Sequence, residues 1–137
     1  MYVHFRILFI FYDLFMNINS NGQQTHMMLA ITIAQYNRQY ILLLPPVKNT
    51  MVDDGVFIRM MYSTDKVTFN GLFIYIRNES SQDICAVEKN ILQMYNTSKT
   101  PVYSVERQII RTPNSILKIS GIWENATSYG LVYKCMD

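Results

Sequence analysis

The chain has 137 residues, which is enough for one domain with a substantial core and too few for two. Hydrophobic residues make up 50% of it and charged residues only 16%, so the composition excludes an intrinsically disordered chain. A net charge of +2 permits contact with phosphate groups but excludes a polybasic, histone-like protein.

Residues 1–26 are predicted to be a poorly structured or auxiliary segment, apart from a single domain over 27–137. The apolar run ILFIFYDLFM follows Arg6 as in a signal peptide, but Asp13 interrupts it and no small-residue cleavage site follows. The run is also too short to span a bilayer. A signal sequence, a first element of the fold and an unstructured extension are the three interpretations of this segment.

Short apolar runs rich in β-formers follow. MMLAITIA (27–34) and YILLLPPV (40–47) each predict a strand. VFIRMMYS (56–63) and VTFNGLFIYIR (67–77), joined by TDK, predict a β-hairpin. Asn70-Gly71 lies inside the second run without changing its character, so we expect a bulge or bend there.

The segment SSQDICAVEKNILQMYN (80–96) changes to a helical period. Ile84, Val87 and Ile91 recur on one stripe, and the interior contains neither Gly nor Pro. The segment therefore predicts a helix whose apolar stripe faces the core.

The runs ILKISGIWE and YGLVYKCM, joined by NATS, predict a closing hairpin. Before them, residues 99–115 are ambiguous between an irregular connection and a short strand or helical turn. Strict alternation along the first strand of the hairpin puts Ile119 and Trp123 on one face and Ile122 on the other. Gly121 is expected to bend this strand.

The order of these elements predicts the fold class. If the runs at 27–34 and 40–47 form one long bent strand, the order is β-β-β-α-β-β. That is the order of an oligonucleotide-binding (OB) barrel, with its helix between the third and fourth strands. We therefore predict a mostly β domain with one helix, folded as a small OB-like barrel. Another β-barrel or sandwich and an open α+β sheet are the alternatives.

An OB barrel binds single strands where cations follow the backbone and aromatic rings stack on bases. The middle and last hairpins supply ten candidate nucleic-acid-binding residues: Arg59, Tyr62, Lys66, Phe69, Phe73, Tyr75, Arg77, Lys118, Tyr133 and Lys134. Alternation puts the rings of Phe69, Phe73 and Tyr75 on one outward surface. The alternative is that both Phe rings fill the barrel and only Tyr75 is exposed.

No arrangement of residues predicts catalysis. The two histidines, His4 and His26, lie in the N-terminal segment, so a Ser-His or Cys-His pair is effectively absent. Cys85 and Cys135 have neither CxxC spacing nor a neighbouring histidine, so two reduced thiols are preferred over a zinc site or a disulfide. We predict no enzymatic activity, no cofactor and no metal.

The strings VFIRMMYSTDKVTFNGLFIYI and ILKISGIWENATSYGLVYKC resemble small proteins of large DNA viruses and of virus-derived elements, including insect ones. The resemblance covers about Ile41 to Lys134 and carries no catalytic motif. It implies an intracellular viral protein, in the cytoplasm or nucleus of the producing or host cell, that binds single-stranded DNA during replication.

Three functions follow, in order of preference. The first is a single-stranded DNA- or RNA-binding protein without a membrane span, with self-association left open. The second is a non-enzymatic structural or protein-interaction protein of a virus or virus-derived element. The third is a small secreted glycoprotein, because Asn78, Asn96 and Asn125 begin N-x-[ST] sequons. Secretion is less favoured because the signal-peptide pattern is incomplete.

Overall fold

The structure, a computed structural model, describes residues 17–18, 24–25, 30–48, 55–95, 97–111 and 115–136. The described strands are β1 Asn17–Ile18, β2 Gln24–Thr25, β3 Ile41–Leu43, β4 Val47–Lys48, β5 Val56–Ser63, β6 Thr68–Phe69, β7 Leu72–Tyr75, β8 Thr100–Val102, β9 Ile116–Glu124 and β10 Ser128–Met136. The described helices are α1 Ser81–Tyr95 and α2 Val105–Arg111, with two 3-10 turns at Ile33–Gln35 and Arg38–Tyr40.

Eight of these strands form one mixed sheet with the order β3-β5-β9-β10-β8, in which β4 and β6 also pair with β5 and β7 also pairs with β9. Only the β8–β10 pairing is parallel among the described pairs of this sheet. The strands β1 and β2 pair separately with each other. The described strands do not close into a barrel, so the sheet is open.

The strand β9 lies at the centre of the sheet and pairs with two different strands along one of its edges. Its first half pairs with β7 and its second half with β5. Ile119 lies opposite Tyr133 on β10, whereas Gly121 lies opposite Val132, so Ser120 has no partner there. This is a β-bulge, which adds one residue to a strand and shifts the alternation of side chains beyond it.

One face of the sheet, here called the inner face, packs against α1 and holds the main core. The core joins Ile84, Val87, Ile91 and Leu92 of α1 to strand residues that include Ile58, Leu72, Ile74, Leu117, Ile119, Ile122 and Leu131. Each fully buried side chain of this size contributes about 1.5–3 kcal/mol relative to an exposed one. The opposite side of the sheet is called the outer face.

The helix α1 begins where the sequence places a good N-cap. Ser80 Oγ accepts a hydrogen bond from the Asp83 N–H at 3.1 Å. At its other side the helix holds α2, because the carboxylate of Glu88 accepts hydrogen bonds from the Ser104 N–H at 3.0 Å and the Val105 N–H at 3.3 Å. A carboxylate of α1 therefore caps the first turn of α2.

The predicted mostly β fold with one main helix is confirmed, but the OB-like barrel is not. The eight-stranded sheet remains open, as in the alternative of an open α+β sheet. The hairpin of β9 and β10 and the helix at 80–96 are confirmed, and the break at Asn70-Gly71 lies between β6 and β7, where Gly71 has φ +115°. The ambiguous segment 99–115 contains β8 and α2.

The N-terminal predictions fare differently. The segment 1–26 lies outside the described residues except for the four residues of β1 and β2. The predicted strand at 27–34 is wrong in its described part, where Ile31 makes a single parallel bridge to Ile74 and Ile33–Gln35 form a 3-10 turn. Within the described ranges, no helix combines the length and the apolar character needed to cross a membrane.

Candidate nucleic-acid interface

The outer face carries a row of apolar side chains across five strands. The register places Val47, Phe57, Trp123, Gly130 and Val102 opposite one another in turn. None of these side chains belongs to the core clusters of the described residues. Val47 is 57% exposed, and Phe57 and Trp123 are half-buried. The row is therefore a partly exposed aromatic surface on the side of the sheet away from α1.

Two glycines explain how the rings of this row lie. A Cβ atom at Gly130 would lie 2.9 Å from three atoms of the Trp123 indole. A Cβ atom at Gly121 would lie 2.8 Å from the Phe57 ring and 2.2 Å from the Ile58 carbonyl oxygen. Glycine inside a strand permits such close approach, so each ring rests on bare backbone.

Arg59 is held above this surface by two contacts. Its guanidinium carbon lies 5.5 Å from the centroid of the Phe57 ring, and its Nη1 donates to Asn70 Oδ1 at 3.2 Å. The side chain is nevertheless exposed. A guanidinium has five N–H donors, so this arrangement fixes its position and leaves donors for an anion.

A second basic group lies beyond the bulge. Lys118 on β9 lies directly opposite Lys134 on β10, and its Nζ is 5.4 Å from the centroid of the Phe73 ring. Like charges directly opposite each other on neighbouring strands destabilise a sheet. An anion between the two ammonium groups would remove that repulsion, which makes this pair suited to a phosphate.

The sign of charge is uniform across this surface. Among the described outer-face positions, Arg59, Lys118 and Lys134 are positive and none is acidic. The carboxylate of Glu124 is turned to the inner face, where it accepts hydrogen bonds from Tyr95 and Lys99. These two hydrogen bonds lower the pKa of Glu124, so it stays ionised on the side away from the cations.

Four of the ten predicted site residues are at least partly exposed on this surface. Arg59, Lys118 and Lys134 are its cations, and Tyr75, 42% exposed, lies on the same face beside Ile116. The bulge at Ser120 puts Lys118 and Gly121 on the same face of β9. Because Arg59 lies opposite Gly121, residues from two hairpins meet on that face.

The predicted surface of three outward rings is wrong at Phe73. This side chain is on the outer face but only 3% exposed, because it packs with Ile116 in a small second cluster that Ala30, Phe69 and Met136 border. Phe69 is half-buried and lies 6.4 Å from Tyr62 between ring centroids. Of the three rings, Tyr75 alone is substantially exposed.

Two predicted tyrosines belong to the inner face. Tyr62 is 2% exposed, and its hydroxyl accepts from the Asn37 N–H at 3.1 Å and donates to the Gln35 carbonyl. Tyr133 lies opposite Ile119, borders the main core and hydrogen-bonds to Ser104 through its hydroxyl at 3.0 Å. In these positions neither ring presents a face for stacking.

The remaining predicted residues, Lys66 and Arg77, lie in turns. Lys66 is in the turn closed by the Thr64 N–H and the Val67 carbonyl, and Arg77 follows β7. Both side chains are exposed. They lie outside the strands of the sheet.

Sequence reasoning missed the two rings that dominate this surface. Strict alternation put Trp123 with Ile119, but the bulge at Ser120 moves Trp123 to the outer face and Ile122 to the core. Phe57 was overlooked because both faces of its run are apolar. The signal in the sequence for this bulge is Gly121, which lies next to the point where the inward and outward alternation of side chains changes.

The helical side carries an exposed ring beside a cation, Tyr103 with Lys89, and a groove. A groove of about 540 Å³ is lined by residues that include Cys85, Lys89 and Glu106. Burial raises the pKa of the Cys85 thiol, and Glu106 raises it further, so the reactive thiolate is disfavoured. Cys85 and Cys135 are not joined to each other in a disulfide, and no group of three His, Cys, Asp or Glu in the described part of the chain could hold a metal.

The chain matches no protein-family model, no curated protein and no solved structure.

Proposed function

We propose that this protein binds single-stranded nucleic acid, in particular single-stranded DNA, across the outer face of its sheet. The observation that carries the proposal is the combination on one face of three cations, the partly exposed rings of Phe57, Trp123 and Tyr75, and no acidic residue among the described positions. Cations that follow a backbone and rings that stack on bases are the two components of such sites.

The arrangement of the cations supports a strand path along β9. Lys118 and Lys134 lie at one end of that strand, and Arg59 lies beside its bulge. Trp123 follows further along the same strand. A chain of phosphates that tracks β9 would meet the lysine pair, then the guanidinium, and would pass the indole with its bases turned toward the sheet.

The rings favour an unpaired strand over a duplex. In a duplex the faces of the bases are covered by their neighbours, so a ring that rests on a sheet has no base face to contact. The OB-like barrel of the sequence prediction is not needed for this function, because an open sheet can present the same row of side chains.

The direct test is fluorescence anisotropy with a labelled oligo-dT at increasing salt. Three phosphate contacts predict that log affinity falls with log salt with a slope of about −2. The double variant Lys118→Gln/Lys134→Gln should bind more weakly and flatten that slope by about 1.4. Lys89→Gln is the control for position, because it removes one positive charge from an exposed site on α1.

Two results would contradict the proposal. The first is the absence of binding by the folded protein at low salt, where electrostatic association is strongest. The second is a double variant whose salt dependence equals that of the Lys89→Gln control.

A second candidate function is a structural or protein-interaction role. It is favoured by the apolar row, in which Val47 is 57% exposed beside Phe57 and Trp123. The centres of protein interfaces are enriched in aromatic residues but depleted in lysine, so the Lys118–Lys134 pair argues for nucleic acid first. Gel filtration with and without oligonucleotide separates the two functions, since a protein interface predicts self-association or a protein partner without DNA.

The viral and replicative setting implied by the sequence resemblance remains a prediction. It suits this proposal, since replication exposes unpaired strands.

A further inference from the structure

The most specific feature of the outer face is the position of Trp123. Its indole lies so close to the backbone of Gly130 that a Cβ there would be 2.9 Å from Cε2, Cζ2 and Nε1. Three ring atoms at one distance from one point mean that the ring lies across the glycine rather than edge-on to it. One π-face is therefore turned to β10 and the other is turned outward.

Within the described residues, the Trp123 indole takes part in no ring-stacking pair and no cation–π pair, and its N–H makes no hydrogen bond. The side chain is half-buried, as expected for a ring with one face against the sheet.

The neighbours of the indole determine which kind of ligand could stack on it. Phe57 lies directly opposite Trp123, and Arg59 lies opposite Gly121, one diagonal away on the same face. Diagonal neighbours on paired strands have Cα atoms about 7–8 Å apart. A flat group on the indole would thus have a fixed guanidinium beside it, held by the Phe57 ring and Asn70.

We infer that Trp123 is the base-stacking seat of the interface. It takes one unpaired nucleobase on the outward face of its indole, while Arg59 binds an adjoining phosphate. Gly130 is a positioning residue, because any larger side chain would lift the indole off the sheet. This inference rests on the proposed single-stranded nucleic-acid binding and names the group that reads the bases rather than the backbone.

The chain contains a single tryptophan, so its fluorescence reports on this seat alone. The test compares two probes of equal length, oligo-dT and an abasic oligonucleotide that keeps the phosphates and lacks the bases. Each is titrated at low salt while anisotropy of the labelled probe and tryptophan emission are recorded together. We expect oligo-dT to quench the emission and the abasic probe to bind through phosphates without quenching.

Variants separate stacking from folding. Trp123→Leu should weaken oligo-dT binding about five- to hundredfold, the range for the loss of one stacked base. Trp123→Phe keeps an aromatic face and should lose less. Tyr103→Leu is the control, since Tyr103 is a 42% exposed ring that contacts Lys89 on the helical side. Thermal unfolding followed by circular dichroism identifies any variant that fails to fold.

Gly130→Ala tests the positioning role with the fluorophore kept. The added methyl group should tilt the indole, reducing the quenching by oligo-dT while the salt-dependent phosphate binding persists. If this variant does not fold, the Trp123→Leu and Trp123→Phe comparison decides the question instead.

The outcomes distinguish the inference from the function on which it rests. Binding of oligo-dT by anisotropy without a change in tryptophan emission, or equal affinities for Trp123→Leu and the wild type, overturns the seat and leaves the proposed function standing. No binding of either probe at low salt overturns the proposed function and the seat together. Quenching by oligo-dT alone supports both.

Discussion

The inner and outer faces of the sheet are made by the same central strand and differ in almost every property. On the inner side of β9, Leu117, Ile119 and Ile122 are buried against α1. On its outer side, Lys118 and Trp123 are half-buried and lie beside cations and rings. The difference shows that neighbouring residues of one strand can lie in a buried core and on a partly exposed, basic surface, and that a bulge sets the boundary.

The polar groups of the two faces also differ. Inner-face hydroxyls and carboxylates are paired, as in the Tyr133–Ser104 and Tyr95–Glu124 hydrogen bonds. No buried side-chain polar atom of the described residues lacks a partner. On the outer face, the cationic groups of Arg59 and Lys118 lie over aromatic rings. A ring accepts few hydrogen bonds, so most N–H donors of these two side chains are left to solvent or a ligand. The inner face is therefore chemically closed and the outer face is open.

Substitutions at the adjacent residues Leu117 and Lys118 should show the largest difference between the two faces in the free energy of unfolding. Leu117→Ala should lower the free energy of unfolding by about 2–5 kcal/mol, because it leaves a cavity in the core. Lys118→Ala should change it by less than about 1 kcal/mol, since it loses only the contact of the ammonium group with the Phe73 ring and relieves repulsion with Lys134. Urea unfolding followed by circular dichroism measures both values.

Nucleic-acid binding should respond in the opposite order. The folded Leu117→Ala protein should bind oligo-dT as the wild type does, whereas Lys118→Ala should bind more weakly. Equal losses of binding in the two variants would mean that the faces are not separate in function.

Gly121→Ala sharpens the contrast at the boundary between the two halves of β9. The new methyl group would lie 2.2 Å from the Ile58 carbonyl oxygen and 2.8 Å from the Phe57 ring, so backbone and ring would have to move. Overpacking of this kind costs about 1–3 kcal/mol or more, which the thermal midpoint of unfolding would record. Ser120→Ala is the neighbouring control, and a Gly121→Ala protein as stable as this control would contradict the close packing.

The pH dependence of stability provides a smaller test on the inner side. Burial raises the pKa of Glu88 above its ordinary value of 4.5, despite its backbone donors, whereas hydrogen bonds from Lys99 and Tyr95 lower that of Glu124. The contribution of Glu88 to stability is thus full below pH 4.5 and lost as pH rises through its folded pKa. The contribution of Glu124 is present above its unfolded pKa and lost as pH falls.

Two variants measure these opposite slopes. From about pH 4 to 7, the stability of Glu88→Gln relative to wild type should rise, because the variant lacks the buried charge. Lys99→Met should lose about 0.2–1 kcal/mol near neutral pH and less in acid, since its partner is then protonated. Urea unfolding at several pH values tests both, and parallel curves for wild type and Glu88→Gln would contradict the assignment.

The sequence predicted the elements whose signals are local. The apolar run of β5, the helical period of α1 and the turn of the β9–β10 hairpin each lie within a short window, and all three are confirmed. The segment 99–115 could not be assigned because its structure depends on distant partners. There β8 pairs with β10, and Glu88 of α1 caps α2.

The candidate site was predicted only in part, for a related reason. Arg59, Tyr75, Lys118 and Lys134 were identified from residue type alone, but their arrangement depends on which strands pair. A string of elements does not reveal that β9 takes both β5 and β7 as partners. The extra residue at Ser120 also interrupts the strict alternation of side chains along β9 and so moves Trp123 to the outer face.

The central place of β9 has a consequence for how the chain acquires its structure. The strands β5 and β7 leave the ribosome well before residues 116–124, so each waits with one edge unpaired. Pairings between distant parts of a chain form slowly, and unpaired apolar strands can join those of other molecules in the meantime. Yield of soluble protein should therefore depend on how quickly the later hairpin arrives, through translation speed, temperature and chaperone supply.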